Sequence, residues 1–284
     1  MFSAELDYHR ASTVDEALSL LGKNPEAKLL AGGHSLIPMM KLRLAQPAAV
    51  VDIARIAELK GICAGEGTVI IGAATPHAAV AASSLVREAC PLVAEAAGQI
   101  ADPAVRNRGT VGGNIAHADP ASDWPAVLVV VGATIHLKNA GSTRTVAAKE
   151  FFLDLMTTAL GEGEIITAVE VPRLPAGTGS CYLKLEHPAS GYALCGAAAW
   201  IQLENGKVGH AGLAYNGIAA TPVGVDLSAL FGGAADDEAI ARALSGLTVA
   251  DPLSDLYASG PYRVELAKVY GKRALIRARD RAAG

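Results

Sequence analysis

Cysteine is scarce in this chain and scattered along it. Cys63, Cys90, Cys181 and Cys195 are the only four, with no CxxC among them, whereas an iron–sulfur cluster or a structural zinc needs tightly grouped Cys or Cys and His ligands. Neither is encoded, and isolated thiols are expected. No leader is expected, since MFSAELDYHR carries Glu5 and Asp7 where a signal peptide needs positive charge and then an apolar stretch. A cytoplasmic location is expected. The one long apolar run, Ala126 to Ile135, falls short of the roughly 20 residues that span a bilayer. Positive charge is in deficit, with 24 Lys plus Arg against 28 Asp plus Glu and a formal net charge of -4, so no footprint for nucleic acid exists. His77, His117 and His187 each lack a His or Glu at i, i+4, and no metal site is expected. Aromatics are only 5%, which leaves Ala, Val, Leu and Ile to build the core.

What the chain has in quantity is glycine, 30 residues, with 14 Pro, a composition of many turns that favours mixed α and β structure. At roughly 100 to 200 residues per domain its length gives two or three domains. Helical spacing over Thr13 to Leu21 follows a Ser12/Thr13 cap, and strands are predicted at Lys28 to Leu30 and Ala49 to Ile53, with a short helix over Pro38 to Leu44 capped by Ser35. From about residue 61 a second unit begins: strands at Thr68 to Ile71, Thr134 to Leu137 and Glu164 to Val171, the last stopped by Pro172, and helices at Ala78 to Ser83, Pro91 to Ile100 and Trp124 to Val131. Pro172 to Gly179 is the expected linker. Beyond it come strands at Tyr182 to Glu186, Tyr192 to Leu203 and Lys207 to Tyr215, the last two joined at Asn205-Gly206, and helices at Asp236 to Leu244 and Pro261 to Arg277.

Two glycine segments carry the chemistry. Ala31-Gly32-Gly33-His34-Ser35-Leu36-Ile37-Pro38 puts paired glycines between a strand and a helix start, where backbone amides can converge on an anion; a turn needing positive φ explains it equally. Arg106-Asn107-Arg108-Gly109-Thr110-Val111-Gly112-Gly113-Asn114-Ile115 is expected as a second glycine loop with a hydroxyl and a carboxamide beside its glycines. Two such loops suit a diphosphate. Neither G-x-G-x-x-G nor G-x-x-x-x-G-K-[ST] occurs; the nearest pieces, such as Gly161-Glu162-Gly163, lack the third glycine. Arg106 and Arg108 are candidates for phosphate or for surface charge.

AGGHSLIP at 31–38, MMKLRLAQP with Val51-Asp52-Ile53, IADPAVRNRGTVGGNIAHADPASDWP at 100–125, HPASGYALCGAAA at 187–199, ATP at 220–222 and PYRVELAKVYGKRAL at 261–275 together resemble the flavoprotein subunits of molybdenum hydroxylases, above all the branch that serves aerobic carbon monoxide dehydrogenases. The resemblance implies an α+β fold: a PCMH-type (vanillyl-alcohol-oxidase/MurB-like) FAD-binding domain of two subdomains, 1–60 and 61–175, closed by a three-stranded sheet with helices at 176–284. It implies FAD, with the diphosphate on backbone N–H groups of Ala31, Gly32, Gly33, His34, Ser35 and Leu36 and of Thr110, Gly112, Gly113 and Asn114. It places Asp123 toward the ribityl chain or flavin, and Ile166, Lys184 and Tyr192 about the isoalloxazine. On the residues alone these three also read as a strand core residue, a solvated strand charge and a half-buried aromatic.

The implied activity is an electron relay with no catalytic residue of its own: a large molybdopterin subunit oxidises substrate, a small subunit with two [2Fe-2S] clusters conducts electrons to this FAD, and an external acceptor, a quinone rather than NAD, removes them. A dimer of heterotrimers and peripheral contact with the inner face of the membrane are expected on the same ground. A xanthine, nicotine, aldehyde or aromatic substrate for the complex is the alternative. Two rivals differ in class. Gly33-His34-Ser35-Leu36-Ile37 begins like the G-x-S-x-G elbow of a serine hydrolase with Ser35 as nucleophile, although Ile37 stands where a small residue is needed. A non-catalytic assembly subunit that keeps the fold without the cofactor is the other.

Overall fold

The computed structural model describes residues 2–284, and the chain builds α+β units around three main sheets. In the first, the parallel strands Asp7–Arg10, Ala49–Asp52 and Lys28–Leu30 lie with Ala49–Asp52 in the centre. Ala49, Val50 and Val51 are buried, the unbroken apolar run of a central parallel strand. Helix Val14–Lys23 packs on this sheet through Val14, Ala17 and Leu18. It starts because Thr13 Oγ1 accepts from the Glu16 amide at 3.1 Å while Glu16 accepts from the amide and hydroxyl of Ser12, a reciprocal cap.

The second sheet is antiparallel and five-stranded, in the order Ile62–Ala64, Thr68–Gly72, Ile165–Pro172, Thr134–Lys138, Thr143–Ala147. Its long central strand ends at Pro172, which lacks the N–H needed to continue the ladder. Helices Pro91–Gln99, Val111–His117 and Asp123–Val130 contribute to one core with this sheet, centred on Trp124, Leu92, Leu128, Ile71 and Ile135. The supposed second glycine loop is therefore corrected: residues 111–117 are a helix whose first turn contains Gly112 and Gly113. Two glycines mask a helix start that Thr110 caps.

The third sheet is an antiparallel meander of Thr178–Glu186, Ala193–Glu204 and Lys207–Asn216, to which the short strand Val223–Gly224 adds a fourth member rather than the expected three. Asn205 and Gly206, both at positive φ (52° and 76°), form the tight hairpin. Helix Gly260–Ala283, longer than predicted, lies across this sheet. Gly179 is not linker: it pairs with Ile201, and a Cβ there would collide with the Ala278 carbonyl of the last helix. Buried Arg263 ties the helix down, donating to the Leu194 and Gly217 carbonyls and to Asp255. Among the described residues no helix is long and apolar enough to cross a membrane.

Candidate functional site

A cleft of about 840 Å³ opens where the three units meet, within the roughly 300–1,000 Å³ usual for small-molecule sites. Residues 27–36 form one wall, segments between 73 and 123 and between 156 and 166 form the other, and Ser190, Gly191 and Tyr192 reach in from the third unit.

The first glycine segment leaves strand Lys28–Leu30 and turns at Gly33, whose φ of +78° favours glycine. Gly32 lies against the second segment: a Cβ on it would strike the Arg108 carbonyl oxygen and stand 2.7 Å from the Gly109 Cα. Among the described residues, none of the amides of Gly32, Gly33, His34, Ser35 and Leu36 donates to another group of the chain. They form a row of unused donors at the mouth of a glycine turn, which suits the oxygens of an anion. His34 turns its Nδ1 to the Gly32 carbonyl at 3.0 Å.

The second segment behaves differently. The Val111 amide donates to the Thr75 carbonyl at 3.2 Å, Gly112 to Ala73 at 2.8 Å and Gly113 to the Thr110 hydroxyl oxygen at 3.2 Å, while Asn114 donates within the helix to the Thr110 carbonyl. The expectation that this segment offers a second set of backbone donors is narrowed: neighbouring strand and cap groups already take the amides of Gly112, Gly113 and Asn114, whereas the Thr110 amide donates to no group among the described residues. Thr110, Gly112, Gly113 and Asn114 all line the cleft, but as wall. Gly112 lets the helix press on Ala73, whose Cβ would be 2.6 Å from a Cβ at 112. Asn114 accepts from the Ser122 hydroxyl at 2.5 Å, an arrangement that leaves its NH₂ group in the cleft wall.

Asp123 begins helix Asp123–Val130 and lines the cleft with only 5% exposure. Tyr182 donates its hydroxyl to one carboxylate oxygen at 2.5 Å and Lys184 its ammonium to the other at 3.0 Å. Burial pushes the Asp123 carboxyl up, and Lys184 and Tyr182 pull it back; burial and Asp123 keep the Tyr182 hydroxyl protonated. Lys184 is corrected on both counts: it neither lines the cleft nor meets solvent. Its side chain is 2% exposed, and its three N–H donors go to Asp123, the Gln99 carbonyl at 2.9 Å and the Gly191 carbonyl at 2.7 Å. Ile166 is both a buried strand residue and cleft wall, and Tyr192, 40% exposed, stands at the rim.

Arg106 is neither phosphate ligand nor free surface charge; it donates to the Ile100 and Ala101 carbonyls and so braces Ala101, which sits at φ +43°. The motifs do not single out His77, Ile100, Ser122, Glu164 or Gly191, yet all line the cleft. Glu164 is buried, paired with Arg144 at 2.6 Å and bonded by the Gly161 amide, and the Arg144 hydrogen bond holds its carboxyl below the usual range. The Gly161-Glu162-Gly163 fragment was the available signal there. The hydrolase alternative is overturned: Ser35 takes helical φ and ψ (-104°, -56°) rather than an elbow's strained turn, and the neighbouring His34 serves the loop backbone. Ser35 also gives no side-chain cap to helix Leu36–Lys41.

Comparison with known proteins agrees with the geometry. The profile described as FAD binding domain in molybdopterin dehydrogenase matches residues 2–174, and that of the CO dehydrogenase flavoprotein C-terminal domain matches 180–278. The chain is 42% identical over 97% of its length to the carbon monoxide dehydrogenase medium chain of Hydrogenophaga pseudoflava, covering 97% of that protein. It is 38% identical to the glyceraldehyde dehydrogenase medium chain of Sulfolobus acidocaldarius, over 96% of this chain and 98% of that one. A solved structure of the Hydrogenophaga carbon monoxide dehydrogenase, in a form lacking the Mo-pyranopterin moiety, superposes with a TM-score of 0.95 over 99% of both chains.

Proposed function

The chain belongs to the family of FAD-binding flavoprotein subunits of molybdopterin dehydrogenases, and from that membership and the cleft we infer how it works. It is an FAD-containing electron-transfer subunit of a molybdenum hydroxylase. The flavin, when bound, supplies the ability to take up electrons singly from iron–sulfur centres and to give them up singly or in pairs. The protein's part is to bind and orient it.

The single observation that carries the reading is the row of unpartnered amides from Gly32 to Leu36 facing a cleft of cofactor size. Ala31, Gly32, Gly33, His34, Ser35 and Leu36 hold the diphosphate by backbone N–H groups, without a cationic side chain. Thr110, Gly112, Gly113 and Asn114 shape the opposite wall, and the Asn114 carboxamide adds donors. Asp123 presents a carboxylate to the ribityl or flavin portion, and Ile166 and Tyr192 flank the ring. Lys184 acts from behind, through Asp123. The subdomains 1–60 and 61–175 face each other across the cleft and 176–284 closes it, a division supported by three hydrophobic cores, one at each sheet.

A large molybdopterin subunit and a small subunit with two [2Fe-2S] clusters complete the assembly, as a dimer of heterotrimers. The identity to a carbon monoxide dehydrogenase medium chain favours carbon monoxide as the substrate of the complex. A quinone is the proposed acceptor rather than NAD, and contact with the membrane is peripheral at its inner face. The test is the absorption spectrum of the purified full chain with chromatography of the chromophore released by acid. One FAD per chain, and no substrate oxidation without partner subunits, is expected; a folded chain that neither carries nor takes up FAD overturns the reading.

A further inference from the structure

His77 opens helix His77–Ala82 and lines the cleft, although only 2% of it is exposed. Its ring is held from one side by Trp124, whose indole Nε1–H donates to Nδ1 at 3.1 Å. An indole nitrogen only donates, so Nδ1 must be the bare acceptor nitrogen, and a neutral imidazole then carries its proton on Nε2. Among the described residues Nε2 has no hydrogen-bond partner. It lies beside Gly109, where a Cβ would come within 3.0 Å of it. Gly109 in turn backs onto Gly32, so the free Nε2–H sits at the junction of the two glycine segments.

We propose that His77 is a further cofactor-binding residue, a neutral donor of fixed tautomer whose Nε2–H bonds an oxygen of the FAD diphosphate, with Trp124 setting the tautomer. The proposal rests on the FAD reading above and extends it to a residue outside the glycine motifs. The surroundings keep the ring neutral: burial first, then the nearby His34 and Arg106, hold its pKa down to about 4. Like the amides of residues 32–36, His77 thus contributes a dipole and no charge. His77 itself is therefore expected to add no charge to the site as pH falls from about 8 to 5, the range in which an ordinary histidine would become a cation.

The test uses the full chain labelled with ¹⁵N-histidine, stripped of flavin and then titrated with FAD. Long-range ¹H–¹⁵N spectra are expected to show bare Nδ1 and protonated Nε2 from about pH 5 to 8, and the Nε2 proton is expected to shift when FAD binds. His77→Asn keeps an acceptor near Trp124, but its shorter carboxamide sets no N–H at the Nε2 position, and its FAD affinity is expected to fall roughly tenfold. His77→Gln places an amide N–H nearer the Nε2 position and is expected to restore most of the loss. An Nδ1-protonated ring, an imidazolium in this range, or an Nε2 signal indifferent to bound FAD overturns the proposal, as does a folded Asn variant with wild-type affinity. Wild-type chain that binds no FAD overturns the underlying reading and this assignment together, whereas the other outcomes overturn this assignment alone.

Discussion

Gly32 rests directly on the carbonyl of Arg108, with no room for a side chain between them. That contact joins the donor-bearing turn to the opposite wall, so the cleft's width is set by one missing methyl group. Gly32→Ala must push the two segments apart. It is expected to lower stability by about 1–3 kcal/mol, the usual cost of forcing a methyl into a packed site, and to weaken FAD binding at least tenfold, read by urea unfolding and FAD titration. Wild-type values for both would mean that the walls can separate freely.

Asp123 and Lys184 are 6% and 2% exposed at the side chain, so removing one partner strands the other. Asp123→Asn or Lys184→Met alone is expected to cost about 3–5 kcal/mol. The double variant should lose clearly less than the sum, because no lone charge remains buried. Additive losses in urea unfolding would show that the two groups act independently.

His77 makes stability depend on pH. Its pKa lies at about 4 in the folded chain against an ordinary 6.5, so the unfolded chain binds a proton between these values and the folded chain does not. The associated stability is full above about pH 6.5 and is lost as pH falls toward 4, about 3 kcal/mol in all. Unfolding measured along this range should slope downward with acid, and His77→Asn should flatten the slope. An unchanged slope would place the titration elsewhere.

Tyr215 buries its hydroxyl without a partner against Gly271. An orphan hydroxyl is a cost, so Tyr215→Phe is expected to stabilise the chain by about 1 kcal/mol, seen as a higher urea midpoint. A lower midpoint would mean that the hydroxyl makes a bond worth keeping.

Much of this architecture can be read from the residues. The run Ala49 to Ile53, Asn205-Gly206 and the stop at Pro172 announce their elements through burial, turn chemistry and a missing N–H. Other features depend on partners far away in sequence. Val111 to His117 looks like loop because Gly112 and Gly113 are poor helix formers, and only the fold shows why they stand there: Gly112 presses on Ala73 and Gly113 on the capping hydroxyl of Thr110. Lys184 carried a signal in its phase: two residues from Tyr182 on the same strand, it must share that residue's buried face. The roles of His77 and Trp124 have no such sign, since their hydrogen bond joins positions that only the fold brings together.

The reach of Ser190, Gly191 and Tyr192 into the cleft bears on the order in which the protein is made. A chain leaving the ribosome from its N-terminus exposes both glycine segments well before Lys184 arrives to anchor Asp123 and Gly191. Until the third sheet has formed, Asp123 lacks its counter-ion and the rim lacks Tyr192. The cleft is complete only in a nearly finished polypeptide, so its last wall is a late product of synthesis.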